Sequence, residues 1–181
     1  MTLRLDLVQL EQMFEAADRA TFAEGVALVE RGLALIASQD IDPIPPLGLG
    51  EDIKALSGLM DRLGLQRTRR LAVFESDGGH GASGDGSAID WLRRECHLPG
   101  FEAERQMKLA RQLPDLEETQ KAVEAGQIGM EHALEIARAT DDMGLGTEGE
   151  LLQVAAEKDP GQLRQAAKEK SLPRLSGEYR A

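Results

Sequence analysis

The stretch Ser87–Thr140 alternates amphipathic segments with chain breakers, and that rhythm constrains the fold more than any other feature of this sequence. It reads SAIDWLRRECHLPGFEAERQMKLARQLPDLEETQKAVEAGQIGMEHALEIARAT. Its pattern is helix, four-residue turn, helix, Leu-Pro break, helix, Gly break, helix. Ser87 and Asp90 form a capping box that opens the first helix. Ala88, Ile89, Leu92 and Cys96 then share one arc, with Trp91 at its edge and Asp90, Arg93 and Arg94 opposite. His97-Leu98-Pro99-Gly100 makes the turn. On the second helix Ala103, Met107, Leu109, Ala110 and Leu113 take one side. Phe101, Glu104, Arg105, Lys108, Arg111 and Gln112 take the other. This pair has the size and spacing of a helix-turn-helix.

The flanking sequence is helical by the same criteria. Leu3, Leu7, Leu10, Phe14 and Ala17 mark one face of a helix over 3–20. Thr21 and Glu24 cap a second, whose Phe22, Val26, Val29, Leu33 and Ile36 repeat the spacing, so residues 1–42 read as an antiparallel hairpin. Residues 43–50, rich in Pro and Gly, read as a linker. A third helix is expected from near Glu51 to about Glu75, with Ile53, Leu56, Met60 and Leu63 inward and Gly64 weakening its middle. Residues 76–86 read as a glycine loop. Asp115 with Glu118, Thr147 with Glu150, and Asp159 ahead of Pro160 signal later helix starts, and Gly126 signals a stop. Met130, Ala133, Leu134 and Ala137 drive the helix after Gly126. The expected fold is an all-α multi-helix bundle without a sheet, with about seven or eight helices and a helix-turn-helix-like core at 87–113. Its helical domain covers 51–170, and 171–181 reads as a tail.

Aromatic residues are 3% of the chain, so the core must be built from Leu, Ala, Val, Ile and Met. The single cysteine, Cys96, excludes an internal disulfide, and its place on the apolar arc suits a small core residue better than a nucleophile. Acidic residues interrupt the N-terminal segment where a signal core would lie, and no run is long enough for a membrane span. A soluble cytoplasmic protein is expected. The net charge of −11 is uneven: 115–142 holds eight acidic and two basic residues, while 88–114 holds five basic and four acidic. The presumed helix-turn-helix is therefore less acidic than its surroundings, but it is far from the strongly basic patch of a tight DNA binder.

No catalytic constellation, cofactor site or metal site stands out. Gly79-His80-Gly81-Ala82-Ser83-Gly84 matches G-x-G-x-x-G, but a dinucleotide fold needs a preceding strand and further βαβ units, and no strand pattern follows. His80, His97 and His132 are scattered. His132 lies beside Glu131 and Glu135 without a second ligand pair at matching spacing, so a surface histidine is expected. Metal-dependent nuclease chemistry needs clustered ligands and a base, so no nuclease activity is expected of this chain.

Several motifs together resemble a known family. Gly86-Ser87-Ala88-Ile89-Asp90-Trp91-Leu92, Glu102-Ala103-x-Arg105 and Leu109-Ala110-Arg111-x-Leu113 resemble the helical domain of unknown function 222, which precedes HNH endonuclease domains in actinobacteria. Ala125-Gly126-Gln127-Ile128, Glu131-His132-Ala133, Ile136-Ala137-Arg138 and Asp159-Pro160-x-Gln162-Leu163-Arg164 fit it in order, over about residues 50–170. Leu92–Ala139 is also similar to the helix-turn-helix of ParB partition proteins. The sequence departs from the family at His97-Leu98-Pro99, where Gly-Leu-Ser is usual, at Glu104, where a basic residue is usual, and at Leu134, where Arg is usual. The resemblance implies a helical module attached to a nuclease domain. Two readings stay open. One is weak binding to double-stranded DNA, with Arg105, Lys108, Arg111 and Gln112 toward the major groove and Arg93 and Arg94 near the backbone. The other is a helical interaction module that binds protein or itself.

Overall fold

The computed structural model describes residues 22–177. Among them all regular structure is helical, so the fold is an all-α multi-helix bundle. The helices are α1 (Phe22–Ala37), α2 (Pro46–Ser76), α3 (Gly79–Ala82), α4 (Ala88–Glu95), α5 (Gly100–Gln112), α6 (Glu117–Glu124), α7 (Met130–Met143), α8 (Glu148–Ala155) and α9 (Pro160–Gly177). Single 3-10 turns at Leu113–Asp115 and Leu145–Thr147 join α5 to α6 and α7 to α8. The chain divides into two units, residues 1–51 and 52–181.

In the first unit α1 leaves Phe22, Val26, Val29, Leu33 and Ile36 exposed. The helix expected over 3–20 and the Thr21 cap lie outside the described residues. The expected linker 43–50 is helical from Pro46 onward. Pro46 opens the helix because a first-turn residue needs no N–H and the ring presets φ. At the other end, the expected tail is helical as far as Gly177.

The second unit holds two clusters of buried side chains. One gathers Leu65, Leu109, Leu113, Leu116, Val123, Ile136, Leu151 and Leu163 with several alanines. The other gathers Leu71, Ala88, Leu92, Ala103, Met107 and Ala110. The five residues assigned to the inner side of α5 are all buried in these two clusters. The third helix differs from expectation. Ile53, Leu56, Met60 and Leu63 face outward, at 66%, 36%, 71% and 49% exposure. Leu65, Thr68 and Leu71 carry the packing instead. Gly64 is one reason, since a Cβ there would sit 3.1 Å from Met130 Cγ, and its absence lets α2 approach the start of α7. Asp61 is the other: its carboxylate accepts the Met130 N–H at 2.9 Å and so caps α7 from a different helix.

The other caps divide in the same way. Ser87 accepts the Asp90 N–H at 3.1 Å. Asp159 and Gln162 form a reciprocal pair, with Gln162 N donating to Asp159 at 2.9 Å and Asp159 N to Gln162 at 3.3 Å. Asp115 does not cap α6; it lies in the preceding 3-10 turn, and Leu116 holds the N-cap position. Glu148 takes over that task from α8, accepting from Thr119 N at 2.8 Å and Thr119 Oγ1 at 2.7 Å. Thr147 donates to Gly144 O instead of capping α8. Gly126 adopts φ 68°, the left-handed geometry that ends α6.

The glycine loop is partly ordered as α3. Gly79 lies against Phe74, whose ring atoms occupy the space a Cβ would need. Phe74 in turn meets Trp91, with ring centroids 4.5 Å apart and planes tilted by 45°. Packing against an aromatic ring thus explains a glycine that a phosphate-binding motif would also require.

Candidate nucleic-acid interface

The connection between α4 and α5 is Cys96–Pro99, one residue earlier than expected, because Gly100 already belongs to α5. Leu92 O accepts from Cys96 N at 3.0 Å and from Leu98 N at 3.4 Å, which closes α4. His97 carries the reversal at φ 53°, a left-handed conformation unusual for a residue with a Cβ. Pro99 then precedes α5 without a side-chain cap. Trp91, at the edge of the apolar arc, is half-buried with its ring against Phe74 of α2.

Buried alanines and Met107 hold α5 against the core and turn Phe101, Glu104, Lys108 and Arg111 to the solvent at helical spacing. Arg105 and Gln112 are half-buried at the edges of this strip. Five of the six residues singled out for DNA contact are cations, and each of the five meets a carboxylate. On α4, Arg93 lies 3.6 Å from Asp90, and Arg94 lies 2.6 Å from both Asp85 and Glu95. On α5, Arg105 pairs with Glu131 of α7, Lys108 with Asp141 of α7 at 2.7 Å, and Arg111 with Glu75 of α2 at 2.5 Å. Gln112 keeps a buried Oε1 without a hydrogen-bond partner, and its side chain hydrogen-bonds Asp141.

These pairs leave their mark on acidity. Lys108 beside it, donating a hydrogen bond, holds the Asp141 carboxyl below the usual carboxylate range, as Arg94 does for Asp85. Arg94 and Arg111 are correspondingly raised, chiefly by their hydrogen bonds to Asp85 and Glu75. The strip is thus a row of neutral ion pairs on an acidic protein, not a free positive surface.

Two cations that the sequence reading left out stand close to this strip. Arg138 of α7 and Arg164 of α9 line a groove with Arg105 and Lys108. Arg164 makes a two-pronged pair with Glu135, whose residue is only 7% exposed. Arg138 stands three positions after the buried Glu135 on the same helix, and the motif Ile136-Ala137-Arg138 was the sequence signal that pointed to it. Arg164 ends the motif Asp159-Pro160-x-Gln162-Leu163-Arg164, but nothing local showed that it reaches this groove from another helix.

His132 contacts Lys158 O at 2.9 Å. Among the described residues no group of His, Cys, Asp and Glu is arranged to hold a metal ion. No helix among them is long and apolar enough to cross a membrane. The chain matches no protein-family model, no curated protein and no solved structure.

Proposed function

We propose that this chain is a non-catalytic DNA-binding helical module, of the kind that stands ahead of a nuclease domain in the HNH endonuclease proteins it resembles. The observation that carries this reading is the position of Lys108 and Arg111, one turn apart on the solvent side of α5, just after the short turn from α4. Binding is weak, because each cation must exchange a carboxylate for a phosphate and the whole chain repels DNA with a net charge of −11. With roughly four phosphate contacts, log K falls against log salt with a slope near −3.6. Titration of duplex DNA at several salt concentrations tests this. Arg105→Ala with Lys108→Ala abolishes binding and leaves the helical spectrum unchanged. Unaltered affinity in that double variant, or no binding by the parent at about 20 mM salt, where screening is weak, rejects the proposal.

A specific observation favours a second reading, a helical interaction module. Ile53, Leu56, Met60 and Leu63 are exposed on α2 at the spacing i, i+3, i+7, i+10, the seam of a two-helix packing. A stable oligomer indifferent to DNA, dispersed by Met60→Glu, supports this reading over the first.

A further inference from the structure

The groove between α5, α7 and α9 has a volume of about 140 Å³. Arg105, Lys108, Arg138 and Arg164 line it against one carboxylate, Glu135. Leu109 and Leu134 give it an apolar wall. Three of the cations are engaged: Arg105 with Glu131, Lys108 with Asp141 and Arg164 with Glu135. Arg138 makes no side-chain hydrogen bond or ion pair among the described residues. Arg105 Nε is buried without a hydrogen bond, and Glu102 Oε2 stands 3.6 Å from it. Buried donors without a hydrogen bond are uncommon, because hydration is lost on burial.

We propose that this groove is a phosphate site. Several cations converging from three helices suit a tetrahedral dianion, which presents acceptors in several directions, better than a planar carboxylate. The volume falls below the roughly 300–1,000 Å³ of sites for drug-sized ligands, so a single head group fits and a whole cofactor does not. Arg138 supplies the free charge, and Arg105 and Lys108 add theirs by exchanging a carboxylate for the phosphate. Arg164 contributes positive potential while staying paired to Glu135. This site does not depend on DNA binding, because Arg138 and Arg164 lie outside α4 and α5. The phosphate group can be free phosphate or the end of a small phosphate ester.

The full chain is titrated calorimetrically with inorganic phosphate and with a nucleoside 5′-monophosphate, against sodium chloride at equal ionic strength. Arg138→Gln serves as the test variant, since Arg138 has no partner to lose among the described residues and its thermal unfolding should match the parent. Arg93→Gln, a cation outside the groove, serves as control. Binding of a phosphate probe that weakens by about tenfold or more in Arg138→Gln and is unchanged in Arg93→Gln supports the site. Tighter binding of the ester identifies an ester ligand; equal binding of both identifies free phosphate. No binding of either probe, or equal affinity in Arg138→Gln and parent, overturns it.

Discussion

Arg111 of α5 grips Glu75 of α2 with two guanidinium nitrogens: Nε lies 3.0 and 2.9 Å from the two carboxylate oxygens and Nη2 lies 2.5 Å from one. Such a fork fixes both side chains, so the outermost cation of α5 belongs to the scaffold before any ligand arrives. On the other flank Lys108 and Arg105 pair with Asp141 and Glu131 of α7. Exposed pairs of this kind are worth roughly 0.2–1 kcal/mol each, little enough for a phosphate to displace.

Replacing Glu75 and Glu131 by Gln and Asp141 by Asn should therefore release the cations of α5. Three pairs at about 0.5 kcal/mol each amount to roughly tenfold tighter DNA binding. Equilibrium titration at fixed salt checks this. A variant no tighter than the parent means that these carboxylates do not hold the cations back.

Trp91→Ala removes the ring that faces Phe74. Because Trp91 is half-buried, the cost should be about 2 kcal/mol, below the roughly 3–5 kcal/mol of a fully buried aromatic. Denaturant unfolding gives the value, and an unchanged midpoint removes the Phe74–Trp91 contact from the account of stability.

His97→Gly should stabilise the protein by about 1 kcal/mol. The residue sits at φ 53°, where a Cβ is strained and glycine is not. The larger backbone freedom of unfolded glycine offsets part of that gain. A fall in melting temperature would show that the His97 side chain contributes more than its backbone costs.

Arg164→Met strands the Glu135 carboxylate in a largely buried place. It should cost about 2 kcal/mol, less than the roughly 3–5 kcal/mol of wholly buried pairs, because the Arg164 side chain is 47% exposed. Adding Glu135→Leu should restore most of the loss. Thermal unfolding of the single and double variants measures both effects.

Acid should loosen the fold through Asp141. Its carboxyl, hydrogen-bonded by Lys108, is more acidic in the folded protein than in the unfolded chain. The stability it provides is present above the unfolded value near 4 and is lost as pH falls through the lower folded value. Melting temperature should drop as pH falls from about 4, and Asp141→Asn should make that decline shallower.

Local chemistry was enough to place most helices. Breakers such as Pro99, Pro114 and Gly126, with starts at Ser87 and Asp159, act within one turn of the chain, so their meaning does not depend on distant neighbours. The same holds for the inner side of α5, where apolar spacing alone selected Ala103, Met107, Leu109, Ala110 and Leu113, all of them buried. Contacts between helices were beyond that reading. Apolar spacing on α2 identified Ile53, Leu56, Met60 and Leu63 as a face but not which part of the helix would be covered; Gly64 and Asp61 settled that by letting the start of α7 in. Asp115 had the right type for a cap, yet Glu148 does the work from thirty or so residues away. The charge on α5 shows the division most sharply. The sequence alone determined that Arg105, Lys108 and Arg111 lie outside the core, because helical periodicity is a property of one segment. Only the tertiary structure decided that Glu131, Asp141 and Glu75 would neutralise them and that Arg138 and Arg164 would join two of them in one groove, because a charge pairs with whatever packing brings within a few ångströms.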